Sequence, residues 1–269
     1  MAAAHHNGDP GGERRAGVRP LHGPGEIAED EASLALAETY ARLRLLLDAP
    51  FVPTVYRRLA AIDERYLADA LDALAPLIGG ADARRFAAAT CARAAEAAAE
   101  LDIPPLRLGS AKREVLAIID RYNAANPRSL LFVTALSASA ERNATTVAEG
   151  ASGVMEDVPH SAAPTDTRPI LDEIRVLHGD CTVPGMWREL SRFPAVLRQA
   201  WAALRHTPGQ AAFAQAQADI AMLARAEVQC RLAAQLPTAQ QRTRNLLRHF
   251  KGVITAMIVE IECLRAAAR

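Results

Sequence analysis

The chain has 269 residues, half of them apolar, with 31 lysines and arginines balanced by 31 aspartates and glutamates. That length and apolar share suit two domains or one pair of related halves with ample core. Balanced charge gives no net field toward nucleic acid or an anionic membrane, and no apolar run reaches the ~18 residues of a membrane span, so neither partner is expected. Aromatics make up 4% of the chain while alanine abounds, which favours helices packed closely through small side chains.

Residues 1–30 are rich in Gly, Pro, Arg and Glu and are predicted to be a disordered tail. The opening M-A-A-A-H-H-N-G-D-P lacks the apolar stretch of a secretory signal. The four cysteines, Cys91, Cys181, Cys230 and Cys263, form no C-x-x-C or zinc spacing, and a reducing cytoplasm is the expected compartment. His5 and His6 have no neighbouring ligand set, so no metal and no cofactor are expected.

Helical patterning begins near Asp30, with Leu34, Leu36, Tyr40, Leu43 and Leu47 on one stripe. Pro50 ends that helix, and Pro53 suits the first turn of the next. Further helices are predicted from about Asp63 to Leu77 and over 82–100, then from Val115 to the A-N-P at Pro127, with another from Pro127 to about Ala140. Pattern is lost from 142 to 167, a linker. The second half is read as a helix over 169–177, a break at H-G-D-C-T, a helix entered at Pro184, one around Trp201, a long helix over 209–235, and helices through Leu246, Ile254, Ile258 and Leu264. No segment sustains period-two alternation. The expected fold is all-α, with an N-terminal helical repeat over 31–141 and a C-terminal one over 168–269.

The repeat shows in one motif. Val52, Pro53, Tyr56, Arg57 and Leu59 each recur 131 residues later as Val183, Pro184, Trp187, Arg188 and Leu190. Leu67, Ala70, Leu71 and Leu74 recur 130 residues later as Leu197, Ala200, Trp201 and Leu204. So many matches in one order predict an internal duplication and an intramolecular pseudo-dimer, with Tyr56 and Trp187 meeting at a central crevice or filling the seam.

Candidate chemistry is sparse. No H-E-x-x-H, G-x-S-x-G or P-loop pattern occurs. His178 and Cys181 have the residue types of an activated thiol but are near neighbours in sequence, an arrangement that rarely pairs base and nucleophile. Arg57 and Arg188 are each suited to a bidentate carboxylate or to an internal acid such as Glu189 or Asp48. Asn126 lines a cleft or caps the helix at Pro127.

The duplicated V-P-x-x-(aromatic)-R-x-L, its following L-x-x-A-(W/L)-x-x-L and the helical period resemble the group I 2-haloacid dehalogenases, the halocarboxylic acid dehydrogenase DehI family, over about residues 35–269. That resemblance implies two helical halves with the active site at their junction. It also implies direct hydrolysis, in which a carboxylate activates the water that displaces halide from a short 2-halocarboxylic acid. By position it puts pocket walls at Pro53, Tyr56, Gly185, Met186 and Trp187; the residue reading adds Asn126 to the pocket and Arg188 as carboxylate-binding candidate. The family's aspartate falls at Met186, which takes no proton from water. Asp180 is then the candidate catalytic base, with Glu189 as a second choice. Two readings stand: a hydrolase of 2-haloacids, or a non-catalytic homologue that binds a small carboxylic acid or serves as a helical interaction protein. A peroxidase-type helical fold would need the missing C-x-x-C. A homodimer is compatible with either reading.

Overall fold

The computed structural model describes residues 25–143, 166–179, 182–232 and 235–269. Among them are ten α-helices and no strand. The first half carries α1 (Leu34–Leu47), α2 (Thr54–Ile62), α3 (Glu64–Ile78), α4 (Gly80–Glu100) and α5 (Lys112–Asn143). The second carries α6 (Arg168–Leu177), α7 (Gly185–Leu190), α8 (Pro194–Leu204), α9 (Ala211–Arg231) and α10 (Gln241–Ala267). Both α4 and α9 have 21 residues, and their first and last residues lie 131 apart.

Local chemistry sets many of the boundaries. Ser33 caps α1 by accepting from the Leu36 amide at 3.2 Å, and Asp63 caps α3 by accepting from the Tyr66 amide at 2.9 Å. The C-cap of α1 is Asp48 in the left-handed region (φ 53°), where a short polar side chain is tolerated. Prolines 53 and 184 stand at equivalent N-caps, with φ of −59° and −57°.

One predicted break is absent. The two helices expected to meet at Pro127 are a single helix, α5, with Pro127 inside it. A proline there leaves the carbonyl four residues back without its amide. That carbonyl, on Asn123, faces the Cys91 thiol at 4.0 Å. From Ala125 to Val133 every residue of α5 is buried, so tertiary packing holds the helix through its weak point. The segments through Leu246 and Leu264 are likewise one helix, α10, buried on all sides from Met257 to Leu264.

Helices α5 and α10 pack against each other along their length, with α4 and α9 beside them, and these four make the centre. The short helices cross over: α2 of the first half lies on α10, and α7 of the second lies on α5. This exchange brings the two V-P motifs to the same place between the central helices. Within residues 25–30, expected in the tail, Ala28 is buried and the Glu26 side chain has no exposed surface, while Gly25 and Asp30 are exposed.

Candidate functional site

A cavity of about 40 Å³ lies where the starts of α2 and α7 meet α5 and α10. On the same measure one water needs roughly 10–15 Å³, so the space suits a small molecule. Its walls are Pro53, Thr54 and Val55 from α2, Pro184, Gly185 and Met186 from α7, and Tyr122, Asn126 and Ser129 from α5. Phe250, Val253, Ile254 and Met257 of α10 complete it.

Most of these residues come in pairs with a constant spacing of 131. The pairs are Pro53 and Pro184, Thr54 and Gly185, Val55 and Met186, Tyr122 and Val253, Asn126 and Met257. The two halves differ in polarity. Thr54, Tyr122, Asn126 and Ser129 all come from the first half, whereas the second contributes Met186, Phe250, Val253, Ile254 and Met257. The cavity is therefore two-faced, polar toward α5 and apolar toward α10. Asn126 sits within α5 and caps no helix.

The polar face is held firmly. Tyr122 donates its hydroxyl to Glu189 at 2.9 Å, and Arg121 donates to the other oxygen of that carboxylate at 2.6 Å. Burial first, then the charge of Glu189, pushes the Tyr122 phenol well above its ordinary range, so it stays protonated and donating. Gly185 is required opposite it: a Cβ there would stand 2.6 Å from the Tyr122 hydroxyl. Ser129 is fully buried, with its hydroxyl beside the Tyr56 phenol. Helix α2 starts at the cavity wall with no described side chain capping its first amides, which gives that end a partial positive charge.

Of the six residues expected on the pocket walls, Pro53, Asn126, Gly185 and Met186 line the cavity. Tyr56 and Trp187 do not; they fill the core behind it. Tyr56 packs on Phe132 with ring centroids 5.0 Å apart, while Trp187 meets Trp201 edge-on at 5.8 Å. The partners of their polar atoms lie at the same spacing. Trp187 donates to Glu260 at 2.8 Å, and residue 129, which lies 131 before Glu260, is the serine beside the Tyr56 phenol. Two consecutive positions in a helix point about 100° apart, which is why Met186 reaches the cavity and Trp187 the core.

Arg188, the expected carboxylate binder, does not line the cavity. It pairs with Glu26 at 3.2 Å and donates to the Thr54 hydroxyl, and Arg57 also pairs with Glu26, at 3.0 Å. The acid that both arginines meet is thus Glu26, not Glu189 or Asp48. Asp180 and Cys181 lie outside the described residues. His178 faces Glu260, 3.2 Å away. Glu189 is one phenol removed from the cavity. The α10 wall was missed in the sequence, although adding 131 to Tyr122 and Asn126 leads to Val253 and Met257.

The described residues are thus all-helical around a cavity where the two V-P motifs meet, and this fold is shared with solved haloacid dehalogenase structures. A D-2-haloacid dehalogenase mutant in complex with D-2-CPA matches with a TM-score of 0.77 at 17% identity, over 91% of this chain and 95% of that one. D-2-haloacid dehalogenase in complex with L-LA matches at 0.76 and 20%, over 91% and 96%. No protein-family model and no curated protein matches the sequence. At these identities the likeness establishes the fold.

Proposed function

We propose that this chain is a dehalogenase-like protein that binds a short carboxylic acid at the junction of two duplicated halves without hydrolysing it. The observation that carries this reading is the makeup of the cavity wall. Among the described residues it contains no carboxylate and no imidazole, and Met186 stands where the resemblance to group I 2-haloacid dehalogenases requires an aspartate. Hydrolysis needs a base within hydrogen-bond reach of the attacking water. The neutral phenol of Tyr122 and the amide of Asn126 do not serve.

The two-faced wall supports a short acid as ligand. Its head group would meet Thr54, Asn126, Ser129 and the uncapped start of α2, and its alkyl or halogen end the Met186, Val253 and Met257 side. The constant spacing of 131 across the wall supports the duplication and the pseudo-twofold.

A second reading has support in the fold likeness to D-2-haloacid dehalogenases: halide displacement by water that Asp180 activates. Incubation with racemic 2-chloropropionate separates the two. The binding reading expects saturable retention of the acid and no free chloride. Chloride release that is lost in Asp180→Asn would establish the hydrolase and overturn it.

A further inference from the structure

Arg57 and Arg188 occupy the same position in the two halves, and both are buried, at 8% and 2% exposure. Two guanidiniums brought together out of water repel each other and need an anion between them. The anion is the Glu26 carboxylate, from a segment that belongs to no helix. One of its oxygens lies 3.0 Å from Arg57 and the other 3.2 Å from Arg188. The Thr54 hydroxyl accepts from both arginines, and Thr54 is also a wall of the cavity.

The match in donors and acceptors is incomplete. Each guanidinium has five N–H groups, and one carboxylate accepts about four hydrogen bonds. The Nε–H of Arg57, that of Arg188 and the Glu26 oxygen facing Arg57 are all buried without a hydrogen-bond partner among the described residues. One negative charge faces two positive ones.

We propose that Arg57 and Arg188 form a carboxylate-binding site that the chain fills with its own Glu26, and that a free short carboxylate occupies it when that side chain is removed. The segment carrying Glu26 is fastened independently. The Ile27 amide donates to the Arg57 carbonyl at 3.3 Å, Tyr40 donates to the Ile27 carbonyl at 3.0 Å, and Glu29 accepts from the Val52 amide at 2.8 Å and pairs with Arg44. Removing the Glu26 carboxylate therefore leaves the segment in place and opens a gap shaped for the missing CH₂–COO⁻, which acetate restores almost atom for atom. Glu26 thus acts as a ligand in cis that joins the first half to the second beside the cavity.

The test is thermal unfolding of the full chain carrying Glu26→Ala, in sodium acetate and in sodium chloride at equal ionic strength. In chloride the variant should melt roughly 6–20 °C below the parent, the range expected for breaking a buried ion pair in a chain this size. Acetate should restore at least half of that loss saturably, and should do nothing comparable for Glu26→Gln, whose side chain still fills the gap. If Glu26→Ala does not fold in chloride, its refolding yield in the two salts gives the same readout. A melting point unchanged by Glu26→Ala, or the same melting point and refolding yield for the variant in acetate as in chloride, would overturn the proposal. The parent protein in acetate separates this site from the cavity, since binding in the cavity alone would raise parent and variant alike.

Discussion

Gly185→Ala tests the geometry of the polar face. The added methyl would lie 2.6 Å from the Tyr122 hydroxyl and 3.4 Å from two of its ring carbons. Non-bonded carbon contacts settle at roughly 3.5 Å or more, so the hydroxyl must retreat by nearly an ångström. It cannot do so freely, because it donates to Glu189 at 2.9 Å and its ring lies 4.7 Å from that of Phe51. Overpacking of this kind costs about 1–3 kcal/mol, or roughly 2–12 °C in melting temperature for a chain of this size. The decisive assay is a double-mutant cycle with Tyr122→Phe, read by urea unfolding. Without the hydroxyl the clash is gone, so Gly185→Ala should cost at least about 1 kcal/mol less when Tyr122→Phe is already present. An equal cost with and without Tyr122→Phe would refute the reasoning and leave α7 free to shift away from α5.

Trp187→Ala should lower stability by about 3–5 kcal/mol, because it empties a fully buried site and strands Glu260; a small loss of stability with abolished ligand binding would instead put Trp187 on the ligand. Asn126→Leu should weaken binding of a short carboxylic acid by roughly tenfold or more through a lost hydrogen bond to its charge, with a minor change in melting temperature; calorimetric titration reads the affinity, and an unchanged affinity would take Asn126 off the ligand. His249 is held below its ordinary pKa by burial first, then by the charges of Arg58 and His178. The unfolded chain therefore takes this proton more readily, and stability falls as pH drops below about 6.5 until the folded protein binds the proton too. Urea midpoints at about pH 7.5 and 5.5, on either side of that value, should show a smaller acid-induced loss for His249→Gln than for the parent, and equal losses would contradict the assignment.

Much of the helical architecture was written in local pattern. The stripe from Leu34 to Leu47 and the helix start at Asp63 are short-range signals, and the structure has α1 and α3 there, with Leu34 exposed and Leu36, Tyr40, Leu43 and Leu47 buried. Pro127 misled because its cost is local whereas the packing that overrides it is tertiary: α5 is enclosed by its neighbours, and the orphaned Asn123 carbonyl faces Cys91. Glu26 was illegible for a related reason. Glu26 follows a Gly- and Pro-rich stretch and precedes Glu29, Asp30 and Glu31, so nothing in the pattern singles it out, and its burial depends on two arginines from distant helices. The cavity was half visible. The V-P motif indicated the α2 and α7 walls, but within that motif only helix geometry decides that Met186 faces the cavity while Trp187 and Arg188 do not. Nothing short-range marks the α10 wall; the spacing of 131, applied to Tyr122 and Asn126, does.

The proposed function is that the cavity, whose described wall residues include no carboxylate and no imidazole, takes up a short carboxylic acid without hydrolysing it. Calorimetric titration of the protein with racemic 2-chloropropionate, with chloride counted in the same cell afterwards, addresses both halves of that claim. The account predicts a one-site isotherm and chloride no higher than in a protein-free control. Chloride that accumulates with time and protein concentration, or an absence of any binding heat, would contradict it.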